Sequence, residues 1–227
     1  MTFSVAAVVF DLDGTLVDTA PDLTAALNHV LRESGRPVLA PPLVRDMIGD
    51  GVAKLIKRGF AESGGGPNAS DMPALTDLFL AHYHAGIADQ SRAFPGVVDT
   101  LEQLAARGIA LGVCTNKPRA ATESLLKALD LRWYFAGVAD GDGPRKPDPR
   151  SLLGLLERMG KPPESAIMVG DSQNDVAASR AAGVPVIVVT FGYTKTPARE
   201  LGADLVIESF AELPSAISRW GQPATRA

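Results

Sequence analysis

The sequence predicts an α/β fold, a Rossmann-like doubly wound parallel sheet core with an inserted helical cap domain. Three observations carry that prediction. From Phe94 onward, short apolar runs alternate with segments of helical periodicity, the rhythm of parallel strands joined by crossover helices. A similar apolar run, Val5 to Phe10, stands by itself near the N-terminus. Between the two lies a stretch with helical faces and no convincing strand. Residues 1–18 and 91–227 are therefore expected to form the core, and 19–90 the cap.

Taken in order, Val5 to Phe10 is short, β-branched and uncharged, as a buried strand should be. Leu23, Leu27, Val30 and Leu31 then lie on one helical face, with Thr19 or Asp18 as N-cap, Pro21 in the first turn and Gly35 as terminator. A proline-rich connector, Arg36 to Pro42, leads to a short helix around Leu43, Val44, Met47 and Ile48, ended by Gly49-Asp50-Gly51. Val52, Leu55, Ile56 and Phe60 mark another helix, which stops near Ser63 to Gly66. A fourth is expected after a Ser70-Asp71 cap, with Pro73 early and Leu75, Leu78 and Phe79 inward. Beyond Phe94 the expected helices are Val97 to Gly108, Pro118 to Leu129, Pro149 to Met159, Asp175 to Ala182 and Phe210 to about Ile217. The strands between them are Ile109 to Cys114, Gly137 to Ala139, Ala166 to Val169, Val184 to Thr190 and a short edge strand, Leu205 to Ile207. Gly221 to Ala227 reads as a disordered tail.

The bulk properties narrow the function classes. Of 227 residues, 46% are hydrophobic and 21% charged, an ordinary globular balance with room for one large domain plus an insert. A net charge of −4, with basic residues never in runs longer than a pair, gives no reason to expect nucleic acid or an anionic membrane as partner. The single cysteine, Cys114, excludes an internal disulfide framework and suits a reducing, cytoplasmic setting. It reads as a core-facing strand residue, not a nucleophile. His82, Tyr83 and His84 lack a third ligand at metal-binding spacing and read as packing.

The chemistry gathers where strands end. Asp11 and Asp13, one residue apart in extended chain, point the same way and are followed by Gly14. Like charges so close repel unless a cation or a shared proton compensates. The pair is thus either a magnesium and phosphoryl-transfer site or an acidic turn. The strand ending at Cys114 delivers Thr115, Asn116 and Lys117, whose hydroxyl, amide and helix-start N–H groups can donate to an anion or merely cap the helix. Lys146 follows, in a loop stiffened by Pro147 and Pro149, where it can hold a nucleophile ionised and neutralise phosphate charge. Gly170 then delivers Asp171, with Asp175 four residues on. Magnesium takes oxygen ligands and keeps several waters, so Asp11, Asp171 and the Asp13 carbonyl suffice as a protein set. Asp175 either ligates through water or caps its helix and orients the loop. In such sheets ligands bind at the carboxyl ends of the strands.

Four motifs in register, Asp11-Leu12-Asp13-Gly14-Thr15, Thr115-Asn116, Lys146-Pro147-Asp148-Pro149 and Gly170-Asp171-Ser172-Gln173-Asn174-Asp175, closely resemble those of the haloacid dehalogenase superfamily. The resemblance spans nearly the whole chain. Asp18 to Leu23, Ile48 to Val52, Cys114 to Pro118 and Phe191-Gly192-Tyr193 are similar to stretches of its bacterial phosphoglycolate phosphatases. What the resemblance implies is a small phosphorylated metabolite as substrate, either 2-phosphoglycolate or another small phosphate such as a sugar phosphate or N-acetylmuramic acid 6-phosphate. Asp11 would be the nucleophile and Asp13 the proton carrier, with Mg2+, Lys146 and Thr115 spreading the transferring charge. A phosphomutase is the nearest rival, and a non-enzymatic phosphate-binding module would be missing catalytic residues that are all present here. The cap is expected to contact the leaving group through Arg45, Gly49, Asp50 and Lys54, with a solvated helix face as the alternative for Arg45 and Lys54. A monomer or homodimer is expected.

Overall fold

The computed structural model describes residues 5–220, and the tail expected from Gly221 onward lies outside them. Six parallel strands form the central sheet: β1 (Ala7–Phe10), β4 (Ala110–Cys114), β5 (Gly137–Ala139), β6 (Ala166–Gly170), β7 (Val186–Val189) and β8 (Leu205–Ile207). Their spatial order is β5-β4-β1-β6-β7-β8, so the first strand of the chain is central. It pairs with β4 on one side and β6 on the other, Ala7 standing opposite both Ala110 and Ala166.

Side-chain alternation along β1 splits the core in two. Val8 and Phe10 join a cluster with Val97, Leu101 and Leu104 of α5 (Val97–Ala106), Leu125 of α6 (Arg119–Ala128) and Ile217 of α9 (Leu213–Arg219). Ala7 and Val9 face the opposite cluster, with Leu152 and Leu155 of α7 (Arg150–Arg158) and Val176 of α8 (Gln173–Ala182). A sheet buried on both faces explains why its strands are apolar throughout.

A two-residue antiparallel ribbon, β2 (Val17–Asp18) with β3 (Arg92–Ala93), brackets the helical stretch and was not foreseen. Between its strands run α1 (Ala20–Glu33), α2 (Pro41–Arg45), α3 (Val52–Glu62) and α4 (Met72–Ala85). These four bury Leu27, Val30, Leu31, Val44, Ile56, Phe60 and Phe79 in a third cluster, which Ala121 of α6 joins. Two expected boundaries move for chemical reasons. Pro41 and Pro42 open α2 instead of closing the connector, because the first helical turn needs no donor from them. Helix α8 begins at Gln173, with Ser172 and Asp175 forming a reciprocal capping box, so Asp175 lies inside the first turn. Among the described residues no helix is long and apolar enough to cross a membrane.

Candidate active site

The carboxyl ends of the central strands converge as their sequence suggests. Asp11 directly follows β1, and its N–H donates to Val169 O at 2.9 Å, which ties it to the end of β6. Asp171 follows β6, and Thr115 follows β4, anchored by its N–H to Ala139 O at 2.9 Å. Carboxylate oxygens of Asp11, Asp171 and Asp175 lie within 4.8 Å of one another, all three side chains buried. Lys146 Nζ sits among them, 2.7 Å from Asp11 Oδ1 and 2.6 Å from Asp175 Oδ1.

Burial dominates the electrostatics. It lifts the Asp11 carboxyl to about 7, opposed by Lys146 and aided by Asp175 and Asp13. Asp171 is pushed well above the usual carboxylate range by burial, then by Asp175 and Asp11. Burial works against the Lys146 charge too, but Asp11 and Asp175 outweigh it and hold the ammonium above its ordinary range. Three buried carboxylates thus share one ammonium. Hard oxygen donors with uncompensated negative charge are a fitting environment for a divalent cation.

The neighbours of each carboxylate distinguish them. Asp171 Oδ2 accepts from Tyr193 N at 2.6 Å and Oδ1 from Thr15 Oγ1 at 3.3 Å. Asp175 has both oxygens engaged, Oδ1 by Lys146 and Oδ2 by the N–H groups of Asp171 and Ser172 and the Ser172 hydroxyl. It ties the loop together. Asp13 stands apart from the acid cluster: its carboxylate accepts from Thr19 Oγ1 at 2.7 Å and from Lys117 Nζ at 2.9 and 3.2 Å. Gly14, at φ +86°, gives the turn its shape, and a Cβ there would come within 2.5 Å of Asp171 Oδ2.

Beside Asp11 and Asp13 opens a cleft lined by the apolar side chains of Leu23, Ile48, Val52, Leu55 and Pro118 and by Thr115, Asn116 and Lys117. Gly49 also lines it. Asn116 acts as a clamp, its Nδ2 donating to Lys146 O at 3.0 Å and to Gly49 O at 3.2 Å. Asp50 faces a second opening on the Asp171 side, where it accepts from Asn174 Nδ2 at 2.9 Å and pairs with Arg58 and Lys54. Arg45 is not among the cleft residues. Its guanidinium lies over the Tyr193 ring and donates to Phe191 O at 2.7 Å, so the helical stretch grips the loop after β7 through it. Lys117 and Tyr193 carry no assigned role in the sequence reading. The signal for Lys117 was its place directly after Thr115 and Asn116 at a strand end.

A family model described as haloacid dehalogenase-like hydrolase matches residues 8–189. The chain belongs to this family. A phosphoglycolate phosphatase of Caulobacter vibrioides is 46% identical over 213 residues, covering 93% of this chain and 90% of that protein. One of Agrobacterium fabrum is 45% identical over 214 residues, covering 92% and 91%. The chain is thus a phosphatase, a phosphoric monoester hydrolase. Among solved structures, a predicted phosphoglycolate phosphatase from Haemophilus somnus superposes with a TM-score of 0.88 at 30% identity, covering 93% of this chain and 97% of that one. CbbY from Rhodobacter sphaeroides, solved in complex with phosphate, superposes with a TM-score of 0.79 at 28% identity, covering 92% and 96%.

Proposed function

We propose that this phosphatase is magnesium-dependent and hydrolyses 2-phosphoglycolate to glycolate and phosphate through an aspartyl phosphate on Asp11. The observation that carries the reading is Asp11 itself, a buried carboxylate at the edge of the cleft with Lys146 Nζ 2.7 Å from one oxygen. Relatives named phosphoglycolate phosphatases, alike over more than nine-tenths of the chain, support the substrate. The apolar wall of Leu23, Ile48, Val52 and Leu55 supports it too, because a sugar would leave several hydroxyls there without partners.

In this mechanism an Asp11 carboxylate oxygen attacks phosphorus in line. The ester P–O bond breaks and its electron pair leaves on the alkoxide oxygen, which takes a proton from Asp13. Water then attacks the phosphorus of the aspartyl phosphate and gives a proton to Asp13, while the electron pair of the acyl P–O bond returns to Asp11. Lys146 favours the ionised form of Asp11 and faces the transferring phosphoryl oxygens, and the Thr115 hydroxyl and the N–H groups that follow it donate to them. Asp11, Asp171 and the Asp13 carbonyl would hold Mg2+, which supplies charge neutralisation of the phosphoryl group when bound. Asp175 orients Lys146 and the Asp171 loop. Residues 19–90 serve as the cap over a core of 1–18 and 91–227, excluding water and contacting the leaving group.

The test is phosphate release from a panel of small phosphate esters, with and without magnesium. Asp11→Asn is expected to lower turnover at least about a thousandfold while the chain still folds. Retained turnover would remove the nucleophile assignment, a metal-independent rate would remove the magnesium, and isomerised product in place of free phosphate would favour a mutase.

A further inference from the structure

The segment 46–51, between α2 and α3, stands between the two openings of the site. Ile48 and Gly49 line both of them, Gly51 faces the cleft beside Asp11, and Asp50 faces the opening on the Asp171 side. The position of this segment therefore sets how far a leaving group bound at Asp11 can extend. Among the described residues two hydrogen bonds join it to the loops of the sheet. Asn116 Nδ2 donates to Gly49 O at 3.2 Å, and Asn174 Nδ2 donates to Asp50 Oδ1 at 2.9 Å.

Only the second of these joins two side chains, and its acceptor carries a charge. Arg58 of α3 donates to the other Asp50 oxygen and Lys54 approaches the first at 3.5 Å, so the insert itself presents the carboxylate. Burial pushes the Asp50 carboxyl up, but the bonds from Asn174 and Arg58 outweigh it and hold it below the ordinary carboxylate range. The Asn174 amide thus meets an ionised acceptor, which makes the stronger kind of hydrogen bond. Asn174 sits in the first turn of α8 beside Asp175, whose oxygens accept from Lys146 Nζ and from the N–H of Asp171. One bond fastens the wall of the cleft to the turn that orders Lys146 and Asp171.

We infer that the Asp50–Asn174 pair is a latch that sets the size of leaving group this site accepts, acting through the position of 46–51 without touching substrate. The inference rests on the reading of residues 19–90 as a cap over Asp11. With the bond made, the segment divides the cleft from the second opening, and a short leaving group is enclosed by Ile48, Val52 and Leu55. With the bond broken, 46–51 can lift and the two openings join. A bulky leaving group then gains room, while a short one loses contacts with the wall. Asp50 becomes a positioning residue, in place of the substrate contact its sequence setting suggests.

The experiment compares kcat/KM for 2-phosphoglycolate with that for p-nitrophenyl phosphate, whose leaving group is a rigid ring, in the full chain at saturating magnesium. Asn174→Ala and Asp50→Ala are each expected to lower the preference for the short ester about tenfold, the range of one hydrogen bond to a charged group. Asp50→Asn keeps an acceptor and should lose less. The double alanine variant should lose no more than the worse single one, since both remove the same bond. A preference unchanged in Asn174→Ala, or losses that multiply in the double variant, would overturn the latch and return Asp50 to direct contact with substrate. Hydrogen exchange gives a reading independent of any substrate: amides of 46–51 should exchange about tenfold faster in either single variant, while those of β1 keep their wild-type rates. Wild type that hydrolyses p-nitrophenyl phosphate alone sinks the substrate reading, and the exchange rates then decide the latch. Rates unchanged at 46–51 overturn it.

Discussion

Asp171 occupies a space that two glycines leave open. A Cβ on Gly192 would overlap the Asp171 Cβ and Cγ, and one on Gly14 would meet the same carboxylate from the other side. The close approach lets Tyr193 N reach Asp171 Oδ2. Gly192→Ala is therefore expected to displace the carboxylate or the loop, lowering stability by about 1–3 kcal/mol and removing most of the turnover. Denaturant unfolding and phosphate release together check it, and wild-type values in both would contradict the packing. The strand-end acids were legible at this scale because Asp11 and Asp13 come at the end of one apolar run, just before Gly14, and Asp171 comes at the end of another, just after Gly170, a purely local pattern. The partnership of Lys117 with Asp13 was not, since it joins residues 104 positions apart. Arg45 misled for a related reason. Its charge was visible in the sequence, but the backbone carbonyls of Phe191 and Gly192 that capture it were not.

Among the elements, the start of α1 does the most joining. The Tyr193 hydroxyl accepts from Thr19 N at 2.7 Å and Ala20 N at 3.0 Å, and donates to Asp18 Oδ1 at 2.6 Å. One turn on, the Asp22 carboxylate accepts from Gln90 N, Ser91 N and Ser91 Oγ. Both chain crossings between the sheet and the helical insert are thus pinned to a single helical turn. Tyr193→Phe would leave two buried N–H groups without their acceptor, at about 1–3 kcal/mol, while the ring still packs beneath Arg45. The expected result is a lower urea midpoint with an unchanged slope, and an unchanged midpoint would count against the clasp. Helix positions were readable from their periodicity. The capping of α1 was not: Thr19 is the N-cap residue, yet its hydroxyl serves Asp13 while a tyrosine from a distant loop takes over the capping. The β2–β3 ribbon, two residues on each side, is too short to carry an alternation.

For the whole molecule, the buried acids couple stability to pH. Asp11 is raised to about 7 and Asp171 is raised as well, so between about pH 4 and 7 the folded chain keeps protons that the unfolded chain has lost. Unfolding then releases protons, and the contribution of these groups to stability falls as pH rises through that window. A divalent cation bound only by the folded state opposes the fall, and it needs the carboxylates ionised. Thermal unfolding in magnesium against chelator should therefore show a larger upward shift at pH 8 than at pH 5. An equal shift at both would argue that the ion binds elsewhere. At this scale the alternation of strands and helices announced a parallel sheet, but the order β5-β4-β1-β6-β7-β8 depends on pairings between distant segments that no local pattern encodes.

The central position of β1 has a consequence for biosynthesis. The strand that presents Asp11 leaves the ribosome before both of its hydrogen-bonding neighbours, β4 and β6, which begin at Ala110 and Ala166. At about 5–20 residues per second, the second neighbour follows roughly ten to thirty seconds later. Through that interval the apolar segment Ala7–Phe10 has no sheet to enter. The helices of 20–85 contact one another locally and have no such wait. The nascent chain is thus expected to build its insert first and its nucleophile's setting late, with β1 as the segment most in need of chaperone cover.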